Sequence, residues 1–216
     1  MQSAAVELRN VTKRYGAVRA LMGVSARFES GRITVVRGPN GSGKSTLLGI
    51  VGTLVRPTSG EVDHGPLGGT RGEVRRTLGW VGHESLCYPD LSGRRNIELA
   101  ARLHGLDEKG AYARAAERFD LGAFGERPLR TYSRGQRQRI ALARGLVHDP
   151  ALLLLDEPAT GLDAASTDRL RHVVREEAAR GVVVIIVTHE GRLTDGLEVT
   201  EVALERGRRV EGAGAR

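Results

Sequence analysis

One run of residues carries most of the chemistry in this chain: Gly38-Pro39-Asn40-Gly41-Ser42-Gly43-Lys44-Ser45-Thr46. It matches the phosphate-binding pattern G-x-x-x-x-G-K-[ST] in full. The glycines let consecutive backbone N–H groups turn inward around phosphate oxygens. A helix that follows the loop points its positive end at the same anion. Lys44 then reaches the β- and γ-phosphates. The Ser45 hydroxyl supplies an oxygen of the kind that the hard cation Mg²⁺ takes.

Such a site needs a carboxylate at the end of a neighbouring buried strand, and "ALLLLDEP" supplies two. Asp156 would hold Mg²⁺, directly or through water. Adjacent side chains on a strand point oppositely, but at a frayed strand end both can face one site. Glu157 is then the candidate base that orients and activates an attacking water. His189 ends "VVVIIVTHE", again just past an apolar run, and could contact the γ-phosphate and hold the water. His83 follows the short apolar run of "LGWVGHES" and has Glu84 beside it. The remaining histidines, His64, His104, His148 and His172, have no such placement and read as surface residues. Cys87 reads as a small loop hydrophobe.

These groups need elements to place them. "AVELRNVTKRYG" alternates apolar and polar residues at Val6, Leu8 and Val11, as a half-exposed strand does, and a second strand is expected around Leu21–Phe28. "RITVVRG" is a short buried strand that runs into the phosphate loop. "KSTLLGIVGTLV" follows with apolar residues at helical spacing, Leu47, Leu48, Val51, Leu54 and Val55, and "RPTSGE" closes it. From Glu84 to Thr131 the texture becomes short, arginine-rich helices. After Gln136 a helix, a buried strand, a helix and a second buried strand follow in turn. "EVALERGRRVEG" reads as two short strands joined at Glu205–Gly207. Buried strands alternating with helices predict an α/β fold with a mostly parallel sheet covered on both faces. Ligands of such sheets bind at the carboxyl ends of the strands, where Gly38, Asp156 and His189 all fall.

Composition narrows the function classes. The chain has 216 residues, 40% hydrophobic and 27% charged, as expected of one soluble domain with an inserted lobe. No apolar run approaches the ~18 residues that cross a bilayer. The start, "MQSAAVELRN", has no basic-then-apolar signal peptide, so a cytosolic location is expected. One cysteine excludes an internal disulfide and a multi-cysteine zinc site. The formal net charge of +7 favours anionic partners. Aromatics at only 4% argue against a stacking platform for single-stranded nucleic acid.

The stretch "YSRGQRQRIALARGLVHDPALLLLDEPATGLD" resembles the ATP-binding subunits of ABC transporters, and the resemblance runs from about Val6 to Arg209. The family's signature, LSGGQ, is matched by Tyr132-Ser133-Arg134-Gly135-Gln136. Ser133, the Gly135 backbone and the following helix N-terminus form a second anion site. Arg134 stands where the family has glycine, and either adds positive charge near phosphate or points to solvent. Tyr15 in "TKRYG" resembles the aromatic that stacks on adenine. Asp163 in "ATGLD" resembles the aspartate that links two active sites across a dimer. His83 occupies the place of a glutamine whose amide oxygen touches Mg²⁺ and the attacking water. A neutral imidazole is a poorer ligand for Mg²⁺ than an oxygen. Two readings stand: His83 bonds a magnesium-bound water, or Glu84 shifts by one place to serve as the oxygen ligand.

The resemblance implies a P-loop NTPase core over residues 1–83 and 136–216, an N-terminal antiparallel β portion, and a helical subdomain over about 84–135. It implies ATP and Mg²⁺ as cofactors and a second ATP-binding subunit packed head to tail. It also implies a separate transmembrane permease at the inner face of the cell membrane, with no nucleic acid as partner. The stretch "VGHESLCYPDLSGRRNIEL" looks like the corresponding segment of haem-exporter ATPases of cytochrome c maturation. Exporters of lipids, polysaccharides or drugs are the other expected types. The rival class is a soluble ABC ATPase acting on ribosomes or DNA.

Overall fold

The computed structural model describes residues 5–82 and 85–210. The chain opens with a long antiparallel hairpin, β1 (Ala5–Tyr15) and β2 (Val18–Glu29), turned at Gly16. Val6 and Leu8 point into the core from β1 at period 2, and an irregularity at Asn10, with φ 50°, restores Val11 to the same face. β3 (Ile33–Arg37) leads into the phosphate loop and α1 (Lys44–Val51). Then come β4 (Ser59–Asp63), α2 (Arg71–Arg76) and β5 (Leu78–Val81). Three helices follow, α3 (Gly93–Leu103), α4 (Glu108–Arg118) and α5 (Arg134–Leu146), with two short 3₁₀ turns between α4 and α5. β6 (Leu152–Asp156), α6 (Ala164–Ala179) and β7 (Val183–Val187) precede the short α7 (Gly191–Thr194) and the closing hairpin β8 (Val199–Glu205) and β9 (Arg208–Val210).

The strands form two sheets. One is antiparallel in the order β2-β1-β4; the other has six strands in the order β5-β6-β7-β3-β8-β9. The first five strands of that order run parallel, and β9 closes antiparallel on β8. All residues of β6 and β7 are buried, which is why they read as unbroken apolar runs. Their side chains divide between two cores. Leu153, Leu155, Val184 and Ile186 pack with α3, α5 and α6. Leu152, Leu154, Val183 and Ile185 pack with α1 and the antiparallel sheet, around Phe28 and Leu8. Each fully buried Leu or Ile contributes about 2 kcal/mol relative to exposure.

Several details differ from the sequence-based expectation. α1 stops at Val51, before Leu54 and Val55, because Thr53 takes a left-handed φ of 60° and turns the chain. β4 and α2 were not anticipated. β4 is an edge strand with mostly exposed side chains, and α2 is only six residues long. The signal for α2 was present as a capping box, in which Thr70 and Glu73 satisfy each other's backbone N–H groups.

Two of the four histidines read as surface are not. The His148 ring stacks on His104 with centroids 3.7 Å apart and planes 11° from parallel. Both His148 ring nitrogens are buried without a well-formed hydrogen bond among the described residues, although the Leu78 backbone approaches the ring. Burial, reinforced by the neighbouring His104, pushes the His148 imidazole down to about 4. His64 is half-buried with Nε2 2.7 Å from the Val51 carbonyl oxygen. His172 does lie at the surface, beside Glu176 on the next turn of α6.

Candidate functional site

Parallel strands deliver their C-terminal ends to one edge of the sheet, and the sequence-predicted groups gather there. Gly43 caps the start of α1 with φ 105°, a conformation open to glycine, and no side chain caps the helix. The first N–H groups of α1 therefore stay available at the loop. The Lys44 ammonium arches back over the loop and donates to the Gly38 and Pro39 carbonyl oxygens at 2.7 and 3.0 Å. The buried Ser42 hydroxyl oxygen has no partner among the described residues. A buried hydroxyl without a partner, beside the uncapped N–H groups of a helix start, suits an oxyanion.

Asp156 is the last residue of β6, in register with Val187 of β7. Strand alternation should send Glu157 the other way. The chain avoids this by placing Glu157 at φ 50°, with its N–H bonded to the Val187 carbonyl at 2.8 Å. A left-handed glutamate costs on the order of 1 kcal/mol, and such strain concentrates at functional sites. Both carboxylates thereby line the same cleft. The Glu157 carboxylate accepts the His189 backbone N–H at 3.3 Å, and the His189 Nε2 lies 3.5 Å from its other oxygen. Tyr15, Lys44, Ser45, Asp156, Glu157 and His189 together line this cleft of about 450 Å³. Tyr15 is half-exposed at its rim, with the Lys13 ammonium 4.8 Å from the ring centre. Asn40, Gly41, Gly43 and Thr46 complete the loop wall. Val18, Arg19 and Ala20 also line the cleft and were missed in the sequence. The available signal was the hairpin turn at Gly16, which sends the returning strand back past Tyr15.

Other expected residues do not enter this cleft. Ser133 caps α5 in a capping box with Gln136: the Gln136 N–H donates to the Ser133 hydroxyl at 3.2 Å, and the Ser133 N–H to the Gln136 side chain at 3.1 Å. Gly135 presses on the loop after Glu157, where a Cβ would sit 2.8 Å from the Gly161 carbonyl oxygen. The Arg134 stem lies over Gly161, and the residue as a whole is exposed. Gln138 donates to the Pro158 carbonyl at 2.8 Å. Asp163 caps α6 by accepting the Ser166 N–H at 2.8 Å, and that bond holds its carboxyl below the usual carboxylate range. His83 and Glu84 lie outside the described residues.

The donor set fits a magnesium ion. Mg²⁺ takes one or two protein oxygens and completes its shell with water and phosphate. The Ser45 hydroxyl and the Asp156 carboxylate are oxygens on one cleft, and among the described residues no side-chain hydrogen bond occupies Asp156.

Comparison with known proteins agrees with this geometry. The family model described as "ABC transporter" matches residues 21–160. The chain is 38% identical over 193 residues to the daunorubicin resistance ATP-binding protein DrrA3 of Streptomyces coeruleorubidus, a match covering 87% of this chain and 61% of that protein. It is 34% identical over 216 residues to the cytochrome c biogenesis ATP-binding export protein CcmA 2 of Cupriavidus metallidurans, covering 96% and 99%. The dimeric structure of a bacterial ABC transporter cassette superposes with a TM-score of 0.85 at 28% identity, covering 95% of this chain and 97% of that one. The same cassette in a post-hydrolysis state bound to ADP and phosphate gives 0.84. A phosphate loop, two strand-end acids and a histidine on one parallel-sheet edge, with a capped signature helix beside them, thus place this chain in the ABC transporter family as an ATP-binding cassette.

Proposed function

We propose that this chain binds and hydrolyses ATP to drive export through a separate transmembrane permease. The observation that carries the reading is the convergence of Lys44, Asp156, Glu157 and His189 on one cleft. Tyr15 stacks on the adenine at the rim. Gly38 through Thr46 cradle the phosphates, and Lys44 swings from its loop carbonyls to the β- and γ-phosphate oxygens. Ser45 and Asp156 would hold Mg²⁺, which when bound neutralises charge on those oxygens. Glu157 orients the attacking water and accepts its proton, and His189 keeps Glu157 and the water in line. Catalysis by these groups is chiefly positioning and charge stabilisation.

Ser133, Gly135 and Gln136 stand apart from their own chain's cleft, so a second anion site on one chain is redundant unless two chains share nucleotides. We read them as covering the nucleotide of a second subunit packed head to tail, with Asp163 linking the two sites. The dimeric cassette that superposes on this chain supports that arrangement. Residues 1–83 and 136–216 form the nucleotide-binding core, and about 84–135 the helical subdomain that meets the permease at the inner membrane face. No described helix is long and apolar enough to cross a membrane, which is consistent with a separate permease. The names of the drug-resistance and cytochrome c biogenesis relatives support an exporter of haem, lipid or drug type. Glu157→Gln should bind ATP and lose turnover. Turnover equal to the parent would refute the assignment of Glu157. Recovery of the chain with ribosomes rather than with a membrane protein would overturn the transport reading.

A further inference from the structure

A second cavity, also of about 450 Å³, lies at the far end of α1 from the phosphate loop, walled by β4 and α2. Ile50 and Val74 form its buried floor, with Val55 and Val62 half-buried beside them. Its polar side is built from arginines. Arg71 and Arg75 both donate to the Thr53 carbonyl oxygen, Arg75 at 3.0 Å, and Arg75 Nε also reaches the Thr53 hydroxyl at 3.1 Å. Two guanidinium groups on one oxygen stand side by side and repel. Arg56 lines the same cavity.

Binding the Thr53 carbonyl and hydroxyl in the turn after α1 accounts for Arg75, which does not line the cavity. It does not account for Arg56 and Arg71, which do. Among the described residues no carboxylate forms an ion pair with Arg56, Arg71 or Arg75. The two acids on the cavity rim are engaged elsewhere. Glu61 faces Arg9 at 3.5 Å, and Asp63 accepts the Gly65 N–H at 2.8 Å. The anchor of the arginine pair is itself strained. Thr53 is buried and β-branched, yet sits at φ 60°, held there by the two arginines on its carbonyl, and such strain clusters at functional sites. Desolvation, then repulsion from Arg56 and Arg75, holds the Arg71 guanidinium below its ordinary value.

We propose that this cavity binds an organic phosphate, with its anionic head on Arg56 and Arg71 and its apolar body against Val55, Val62 and Val74. Guanidinium forks recognise phosphate through paired N–H donors, and the valine wall selects a monoester over the free ion.

The test uses the full chain saturated with ADP, so that the phosphate loop is filled. Calorimetric titration with phenyl phosphate should show a saturable site, and inorganic phosphate should bind more weakly. Arg56→Gln and Arg71→Gln should each weaken phenyl phosphate by about tenfold. Arg56 takes no part in capping α1, so its variant stays folded even if the Arg71 variant does not. Vesicles containing phosphatidic acid distinguish the source: binding to them without phenyl phosphate binding assigns the phosphate to a lipid headgroup. Absence of both signals, or affinities unchanged in the folded Arg56→Gln protein, would overturn the proposal.

Discussion

Arg118→Met should destabilise the fold by about 2 kcal/mol. Glu177 of α6 is fully buried, and its carboxylate meets Arg118 of α4 at 2.6 Å and Arg180 at 3.2 Å. Removing one partner of a buried ion pair costs about 3–5 kcal/mol, because a buried charge is left uncompensated. Two features reduce that figure here. Arg180 remains, although its side chain is 47% exposed and pairs with Asp149 as well. The Arg118 side chain is itself 25% exposed, so part of its charge is already screened. Methionine preserves the packing of the stem, so lost packing contributes little. For a chain of this size, about 2 kcal/mol lowers Tm by roughly 4–8 °C. Thermal unfolding followed by circular dichroism, with urea midpoints at pH 7.5, measures the change. The double variant Arg118→Met/Glu177→Met should recover most of the loss, because it removes the stranded charge. A single variant that melts within about 1 °C of the parent would show that Arg180 alone satisfies Glu177, and the reasoning would fail.

Glu157→Gln should lower ATP turnover by at least about 100-fold while leaving ATP affinity nearly unchanged, as read by steady-state hydrolysis and nucleotide titration. Gly135→Ala should lower the thermal midpoint, because its methyl would meet the Gly161 carbonyl oxygen of the same chain at 2.8 Å; a melting curve identical to the parent's would contradict the contact. His148 resists protonation down to about pH 4 in the folded chain, whereas an unfolded histidine accepts a proton near 6.5. Stability should therefore fall as pH drops through that window, and His148→Leu should flatten the fall; parallel urea midpoints at pH 7 and pH 5 in parent and variant would refute it.

The phosphate loop, the acidic strand and His189 were legible because each is a local signal: a contiguous motif, or a polar residue ending an apolar run. Their meeting was also legible, since parallel strands end at a common edge. What the linear pattern could not show is how Asp156 and Glu157, adjacent on a strand, both face the cleft. That depends on one left-handed residue, and nothing in "LDEP" marks it. β4 was hidden because an exposed edge strand has no apolar alternation to read. α1 looked longer than it is because Leu54 and Val55 continue its apolar spacing past the turn at Thr53. Glu177 and His148 look like surface residues in their segments. Arg118 at the end of α4 covers Glu177, and His104 just past α3 stacks on His148, contacts that only tertiary structure reveals.

The division of β6 and β7 side chains between two cores has a mechanical consequence. The central sheet acts as a bulkhead, filled on both faces by close-packed aliphatic groups that do not compress. A displacement of α3 or α5 on one face is therefore carried into the plate rather than absorbed by it. The strands so moved, β6 and β7, end at the turns that hold Glu157 and His189. The residues we assign to the chemistry are thus also the joints through which force would enter or leave the cleft.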